Sequence, residues 1–189
     1  MGRITHFVHQ SLDGCIEGPR GEFDWPVMGP ELSAYSRALT EGADMFLYGR
    51  VVWEMMSGYW PRAEEISTDE HDLAFAPLWR RTPKVVVSST LTEADWNTRV
   101  IGRDVVRELT ALKDGGAHLV LFGGSALAGF LTEHGLIDEY QVFVHPVVLG
   151  GGKPAFRAPQ PRLGLTLVET RTFDSQVVLL RHRPAARPS

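Results

Sequence analysis

Several stretches of the chain carry the hydrophobic spacing of β-strands. Residues 3–10 (RITHFVHQ) alternate and hold β-branched side chains, and residues 44–49 (DMFLYG), 84–89 (KVVVSS) and 117–124 (AHLVLFGG) are short apolar runs. Between them the apolar positions recur at helical spacing. In residues 29–44, Pro30 stands near the start, Leu32, Tyr35 and Leu39 share one face, and Gly42 is a stop signal. Residues 103–116 repeat the plan, with Val105, Val106, Leu109 and Leu112 turned inward and Gly115-Gly116 at the end. Strands that alternate with helices predict an α/β fold whose sheet is largely parallel.

The last third changes character. Residues 138–152 (DEYQVFVHPVVLGGG), 163–173 (LGLTLVETRTF) and 176–183 (QVVLLRHR) read as strands, and only Asp174-Ser175 separates the last two, which predicts a hairpin. Pro146, inside the first of these, predicts a bulge or an exposed edge. The expected architecture is a mixed, mostly parallel sheet with helices on both faces and an antiparallel C-terminal end. Residues 1–183 are read as one domain and 184–189 as a flexible tail.

Composition narrows the function classes. A balance of 43% hydrophobic and 22% charged residues over 189 positions excludes a disordered or fibrous chain. The net charge is −4 and the arginines bunch only in the tail RHRPAARPS, so no nucleic-acid partner is expected. No apolar run approaches the roughly 20 residues of a membrane span and the N-terminus lacks the apolar centre of a signal peptide, so a cytoplasmic protein is expected. A single cysteine, Cys15, and seven histidines without HExxH spacing predict neither an internal disulfide nor a metal site.

Candidate chemistry gathers at strand ends. YGRVVWE (48–54), VVSSTL (86–91) and FGGSAL (122–127) each follow a strand, and in an open α/β sheet the carboxyl ends of parallel strands converge on one crevice. Gly49 allows close backbone approach, Arg50 offers a planar charged fork suited to phosphate, and Ser88 and Ser89 add hydroxyls. The break at Gly123-Gly124 opens a helix whose first amides, on Gly124, Ser125 and Ala126, make an anion site. Each feature has a plainer reading: a tight turn for the glycines, a surface arginine, a serine turn. The fingerprints G-x-G-x-x-G and G-x-x-x-x-G-K-[ST] are absent.

These residues carry a resemblance. VHQSLDGCIEG (8–18) resembles the first strand and active-site loop of the dihydrofolate reductase superfamily. YGRVVWE is similar to its Gly-Arg-x-Thr-x-Glu turn, VVVSST to its adenosine-side strand end, and LFGGSAL to its Gly-Gly pyrophosphate turn. The loop SLDGCIEGPRGEFDW (11–25) and the segment HPVVLGGGKPAF (145–156) resemble the branch that contains the riboflavin-biosynthesis reductase, the RibD C-terminal domain, in stand-alone form.

The resemblance implies a three-layer dihydrofolate reductase-like sandwich that binds NADPH. On its terms Arg50, Ser88 and Ser89 hold the 2′-phosphate and adenosine end, and Gly123, Gly124, Ser125 and Ala126 hold the pyrophosphate. Val8, His9 and Ile16 lie against the nicotinamide, Gly49, Val51 and Val52 complete the cofactor side, and residues 11–18 close over it. Val52 stands where the family usually has Thr, which removes one phosphate-facing hydroxyl. Trp25 and Lys153 are the substrate-side candidates. Asp24 and Glu31 are the candidate proton donors, although neither falls on the folate spacing, and dihydrofolate is expected to be a poor substrate. The zinc-deaminase signature often fused to the riboflavin enzyme cannot exist with one cysteine.

The implied activity is an NADPH-dependent reductase that delivers hydride to a small planar or carbonyl-type acceptor, similar to 5-amino-6-(5-phosphoribosylamino)uracil reductase. Two alternatives stand beside it: an NADPH-binding regulatory module without turnover, and a non-redox enzyme for phosphosugars. Cys15 reads as a bystander, Asp13 as a turn former, and His145 as a strand histidine with a local partner. The apolar C-terminal strands predict a homodimer whose interface includes residues of 139–149.

Overall fold

The computed structural model describes residues 2–156, 162–174 and 176–185. The alternating N-terminal segment forms β1 (Arg3–Gln10), followed by a short β2 (Cys15–Glu17) and α1 (Pro30–Glu41). Then come β3 (Met45–Gly49), α2 (Arg50–Tyr59), α3 (Ala63–Ile66), α4 (Glu70–Arg81), β4 (Lys84–Val87) and β5 (Thr98–Ile101). After α5 (Val105–Asp114), β6 (His118–Phe122) and α6 (Ser125–Glu133), the chain ends in β7 (Glu139–Val144), β8 (Lys153–Pro154), β9 (Leu165–Phe173) and β10 (Val177–Pro184). No described helix is long and apolar enough to cross a membrane.

Eight strands make one sheet in the order β5-β4-β3-β6-β1-β7-β10-β9. All neighbours from β5 to β7 run parallel, and β10 pairs antiparallel with both β7 and β9. The apolar runs in the middle strands follow from burial on both faces. In β6, Val120 and Phe122 join a core cluster with Leu32 of α1 and Phe75 and Leu78 of α4, whereas Leu119 and Leu121 join Leu109 of α5 and Leu131 of α6. The result is three layers, helix on sheet on helix, as expected.

Pro146 corrects one expectation. It lies outside β7, which ends at Val144, and Val147 N–H turns back to the carbonyl of His145 at 2.8 Å. The strand itself is interior, paired on both edges, so 139–144 offers no free edge. The edge strands are β5 and β9, and on β9 Leu167 keeps 53% of its surface in solvent while Leu165 and Val168 are also exposed. At the C-terminus β10 reaches Pro184 and Ala185 N–H bonds the Gly164 carbonyl; of the tail read from the sequence, residues 186–189 lie outside the described residues.

The hairpin is present, and its turn does more than reverse the chain. Asp174, at φ 52°, accepts hydrogen bonds from the Glu31 and Leu32 amides at 3.0 and 3.2 Å, while Glu31 accepts from the Asp174 amide at 2.6 Å. This is a reciprocal helix cap assembled from two distant segments. Gly29 is required beside it, because a Cβ there runs into the Asp174 carboxylate.

Removing that cap should be measurable. Asp174→Ala leaves two first-turn amides of α1 without their acceptor and should cost about 1–2 kcal/mol in urea unfolding, with Glu31→Ala costing less. An unchanged midpoint for Asp174→Ala would show that solvent caps the helix equally well.

Buried imidazoles make a second prediction. Burial lowers the pKa of His6 to about 4 and that of His145 to about 4; His9 falls to about 3 through burial and the nearby His145 and His71. The folded state therefore keeps these rings neutral while the unfolded chain takes up protons below about 6.5. Their contribution is complete above that pH and is lost as pH falls toward 4, with a slope approaching about 1.4 kcal/mol per pH unit for each ring. Unfolding free energies at pH 7 and 5 should differ by at least ~2 kcal/mol; equal values would mean the rings are protonated in the fold.

Candidate active site at the carboxyl ends of the parallel strands

Parallel pairing brings the ends of β1, β3 and β6 side by side, and a cavity of about 300 Å³ opens beyond them. Its wall is mostly apolar. Phe7, Val8 and His9 come from β1, Phe122, Gly123 and Gly124 from the end of β6, and Val51, Val52, Met55 and Met56 from α2. The loop between β2 and α1 adds Phe23, Pro26 and Met28.

The Gly-Gly break is a positive-φ turn between β6 and α6. Gly123 and Gly124 have φ 45° and 72°, a region closed to most side chains. A Cβ on Gly123 meets nothing within 4 Å, so the backbone faces open space, and one on Gly124 comes to 3.2 Å from Val52 Cγ2. No side chain caps α6 at Gly124, which leaves the first amides of the helix for a ligand. Ser125 is buried and Ala126 exposed in that first turn.

The other cofactor candidates are distributed more widely. Gly49 is the N-cap of α2 with an ordinary extended backbone, and a Cβ there makes only normal contact with Leu127. Arg50 opens α2, is exposed, and forks onto Glu54 at 2.7 and 2.9 Å. Ser88 is buried and its hydroxyl oxygen accepts from the amides of Thr90 and Leu91, so it builds the turn after β4; Ser89 is exposed. Arg50, Ser88 and Ser89 flank the carboxyl ends of β3 and β4 without lining the cavity.

The two loops singled out by sequence are zipped together. β2 pairs with β8, Cys15 opposite Pro154 and Glu17 opposite Lys153, and Ala155 N–H bonds the Gly14 carbonyl. Asp13 accepts from the amides of Leu149 and Gly150 at 3.1 and 2.9 Å; with the Ser11 hydroxyl these hold its carboxyl low, at about 2. Asp13 is thus a clamp between loops. Ile16, Glu17 and Lys153 reach the cavity, with Lys153 Nζ 3.4 Å from the Glu17 carboxylate. Cys15 is buried and its amide donates to Ser11 Oγ.

Trp25 borders the site indirectly. It donates to the Glu22 carbonyl and meets Phe23 and His145 edge-on, while its neighbour Pro26 lines the cavity. His145 is 1% exposed and bonds both His9 and the Val27 amide. Asp24 is exposed and Glu31 is spent on the α1 cap; neither lines the cavity.

The ionisable groups that do line it include a pair the sequence reading passed over. His71 and Asp72 stand in the first turn of α4, with Asp72 accepting hydroxyl bonds from Tyr59 and Ser67 at 2.6 Å each. His71 lies 2.9 Å from Ser33 Oγ and stacks on Phe75; burial lowers its pKa. The helix was legible, since Asp69 precedes Phe75, Leu78 and Trp79 at helical spacing and caps the His71 amide. That its first turn borders the same cavity as β1 is a tertiary fact.

Known proteins resemble this chain along nearly its full length. The model of the RibD C-terminal domain matches residues 3–179. The uncharacterized protein YyaP of Bacillus subtilis (strain 168) is 37% identical over 180 residues, 93% of this chain and 92% of that protein. Among solved structures, a Shewanella sp. PV-4 protein assigned to riboflavin biosynthesis superposes with a TM-score of 0.76 at 21% identity, covering 98% of this chain and all of that one. The Thermotoga maritima diaminohydroxyphosphoribosylaminopyrimidine deaminase/5-amino-6-(5-phosphoribosylamino)uracil reductase gives 0.69 at 15% identity, covering 97% of this chain and 57% of that one. Dihydrofolate reductase from Enterococcus faecalis gives 0.65 at 14% identity over 98% of both chains, so the three-layer fold is dihydrofolate reductase-like. With one family model spanning both zipped loops, the glycine turn and the sheet as far as the start of β10, the chain belongs to the RibD C-terminal domain family.

Proposed function

We propose that this protein is an NADPH-dependent reductase that passes hydride to a small planar or carbonyl-type acceptor. The observation that carries the reading is the uncapped, positive-φ turn at Gly123 and Gly124, open to an apolar cavity at the carboxyl ends of parallel strands. The fold relatives support the choice of cofactor and chemistry: the Enterococcus dihydrofolate reductase is complexed with NADP(H), and the Thermotoga protein is a uracil-type reductase.

NADPH supplies the hydride when bound; the protein binds, orients and excludes water. Amides at Gly124, Ser125 and Ala126 are assigned to the pyrophosphate, and Arg50 with Ser88 and Ser89 to the 2′-phosphate. Arg50 must leave Glu54 to do this, and an exposed i,i+4 pair is worth only about 0.3–0.5 kcal/mol against ~1.5–3 for a charged hydrogen bond. The exchange is therefore downhill. Val8 and Ile16 give the reacting ring a dry wall. Asp72 takes the proton-handling role assigned by sequence to Asp24 and Glu31, and the presence of Asp72, His71 and His9 on the wall favours turnover over a binding module.

A homodimer is part of the proposal, with its contact moved to β9. Among the described residues that strand is unpaired along one edge and carries exposed Leu165, Leu167 and Val168, and a second copy across a two-fold axis covers such an edge most simply.

Calorimetric titration should give tighter binding of NADPH than NADH, with Arg50→Ala losing roughly 1.5–3 kcal/mol of NADPH affinity and Glu54→Gln gaining a few tenths. Equal affinities for the two cofactors would sink the 2′-phosphate assignment. In NADPH absorbance assays over a panel of cyclic imides and carbonyl compounds, Asp72→Asn should lower turnover while leaving NADPH affinity intact. Absence of oxidation with every compound, cofactor bound, favours the binding module.

Light scattering at micromolar concentration should report about twice the 21.0 kDa chain mass, and Leu167→Lys should halve it. A wild-type monomer removes the dimer.

A further inference from the structure

Consecutive contacts fix where the protons sit on two rings beside the cavity, His145 buried and His9 partly buried. Val27 N–H donates to His145 Nδ1 at 3.1 Å, and His145 Nε2 lies 2.7 Å from His9 Nδ1. A neutral imidazole has one N–H and one acceptor nitrogen. His145 Nδ1 is occupied as an acceptor, so its proton stands on Nε2 and is donated to His9. His9 Nδ1 is then the acceptor, and the His9 proton stands on Nε2.

The alternatives oppose hydrogen to hydrogen. A proton on His145 Nδ1 meets the Val27 N–H, and a proton on His9 Nδ1 meets His145 Nε2–H. Burial biases both rings the same way, toward the uncharged form. The His9 ring plane is also held, stacked on Phe143 at 5.1 Å and met edge-on by Phe7 at 5.0 Å.

His9 shares a face of β1 with Phe7, the face covered by α1, and it borders the cavity near Met28 and the loop that precedes that helix. The glycine turn ends the neighbouring strand β6 and lines the same cavity, so on the reductase reading cofactor and acceptor both meet the wall that His9 helps to form. Its Nε2 takes part in no hydrogen bond among the described residues.

We propose that His145 is a positioning residue whose hydrogen bond to His9 fixes His9 Nε2–H as an uncharged donor for a carbonyl oxygen or imine nitrogen of the hydride acceptor. The inference rests on the reductase reading of the cavity, and it narrows the acceptor class. A neutral N–H rewards an uncharged acceptor atom and gives an anionic group no countercharge. Because His145 also holds Val27, the same ring ties the β2–α1 loop to the donor it orients.

The test begins on the 15N-labelled full chain with long-range proton–nitrogen correlation NMR between pH 6 and 8. Both rings should be neutral with the proton on Nε2. In His145→Phe, His9 should shift to averaged tautomers, and in His145→Gln, whose side-chain N–H reaches the same acceptor, the Nε2–H form should persist. Uracil, a neutral planar amide, added to NADPH-saturated protein should move the His9 Nε2 resonance and bind about tenfold more weakly to His9→Phe. Benzoate, a planar anion, should leave that resonance in place.

A proton on His9 Nδ1 or mixed tautomers in the wild-type chain overturns the proposal. So does equal binding of uracil and benzoate, or uracil affinity unchanged in His9→Phe. Failure of NADPH to bind defeats the reductase reading separately, and the wild-type tautomers with a cofactor-free uracil titration still decide the role of His9.

Discussion

The parallel pairing of β1 with β6 and β7 is the constraint on which the remaining structure depends. It sets Phe7 opposite Phe122 and Val8 opposite Val142, and the Gly123 amide continues the ladder by donating to the Phe7 carbonyl. A one-residue slip would turn Phe7 and His9 to the opposite face and take the imidazole out of the cavity that Gly123 and Gly124 also line. Register in the sheet centre therefore decides which chemistry shares the cavity. It is well specified, because helices bury both faces and each alternate residue has its own core cluster.

Around this rigid centre the mobile-looking parts of the sequence are held by side chains that bond distant backbone. Asp174 caps α1, Asp13 grips the amides of Leu149 and Gly150, and His145 holds Val27. Each such bond is worth on the order of 1 kcal/mol, far less than the burial of one core leucine. Their importance is geometric. They set the walls formed by the loops, whereas the apolar clusters set only the sheet and its helices.

That division explains what could be read from sequence. β1, β3, β4 and β6 announce themselves because burial on both faces demands apolar runs, and Pro30 with Gly42 brackets α1. β5 was invisible: it is a four-residue edge with Arg99 exposed, so neither alternation nor hydrophobicity marks it. β2 and β8 are three and two residues long, too short for any period. Pro146 misled because the apolar run of β7 continues past the strand into residues 147–149, of which Val148 is exposed. In the site, the glycine turn was legible because only glycine adopts that backbone freely, while Glu31 looked catalytic from its place at a helix start and is a cap for that same reason. Asp72 and His71 carry no local mark of their destination.

The same division bears on how such a cavity would handle hydride under the proposed reductase reading. A hydride reaches its acceptor best where water is absent and the charge that develops meets donors already in place. Here the dry part comes from methionine, valine and aromatic side chains, and the polar groups are few and each is tied to a partner: His9 to His145, Asp72 to Tyr59 and Ser67, Lys153 to Glu17. A tied group in an apolar wall acts first through the hydrogen bonds that already orient it. On that reading, selectivity for the acceptor would depend on loop contacts such as Val27 to His145, while the sheet and the glycine turn would be free to keep one cofactor geometry as acceptors differ.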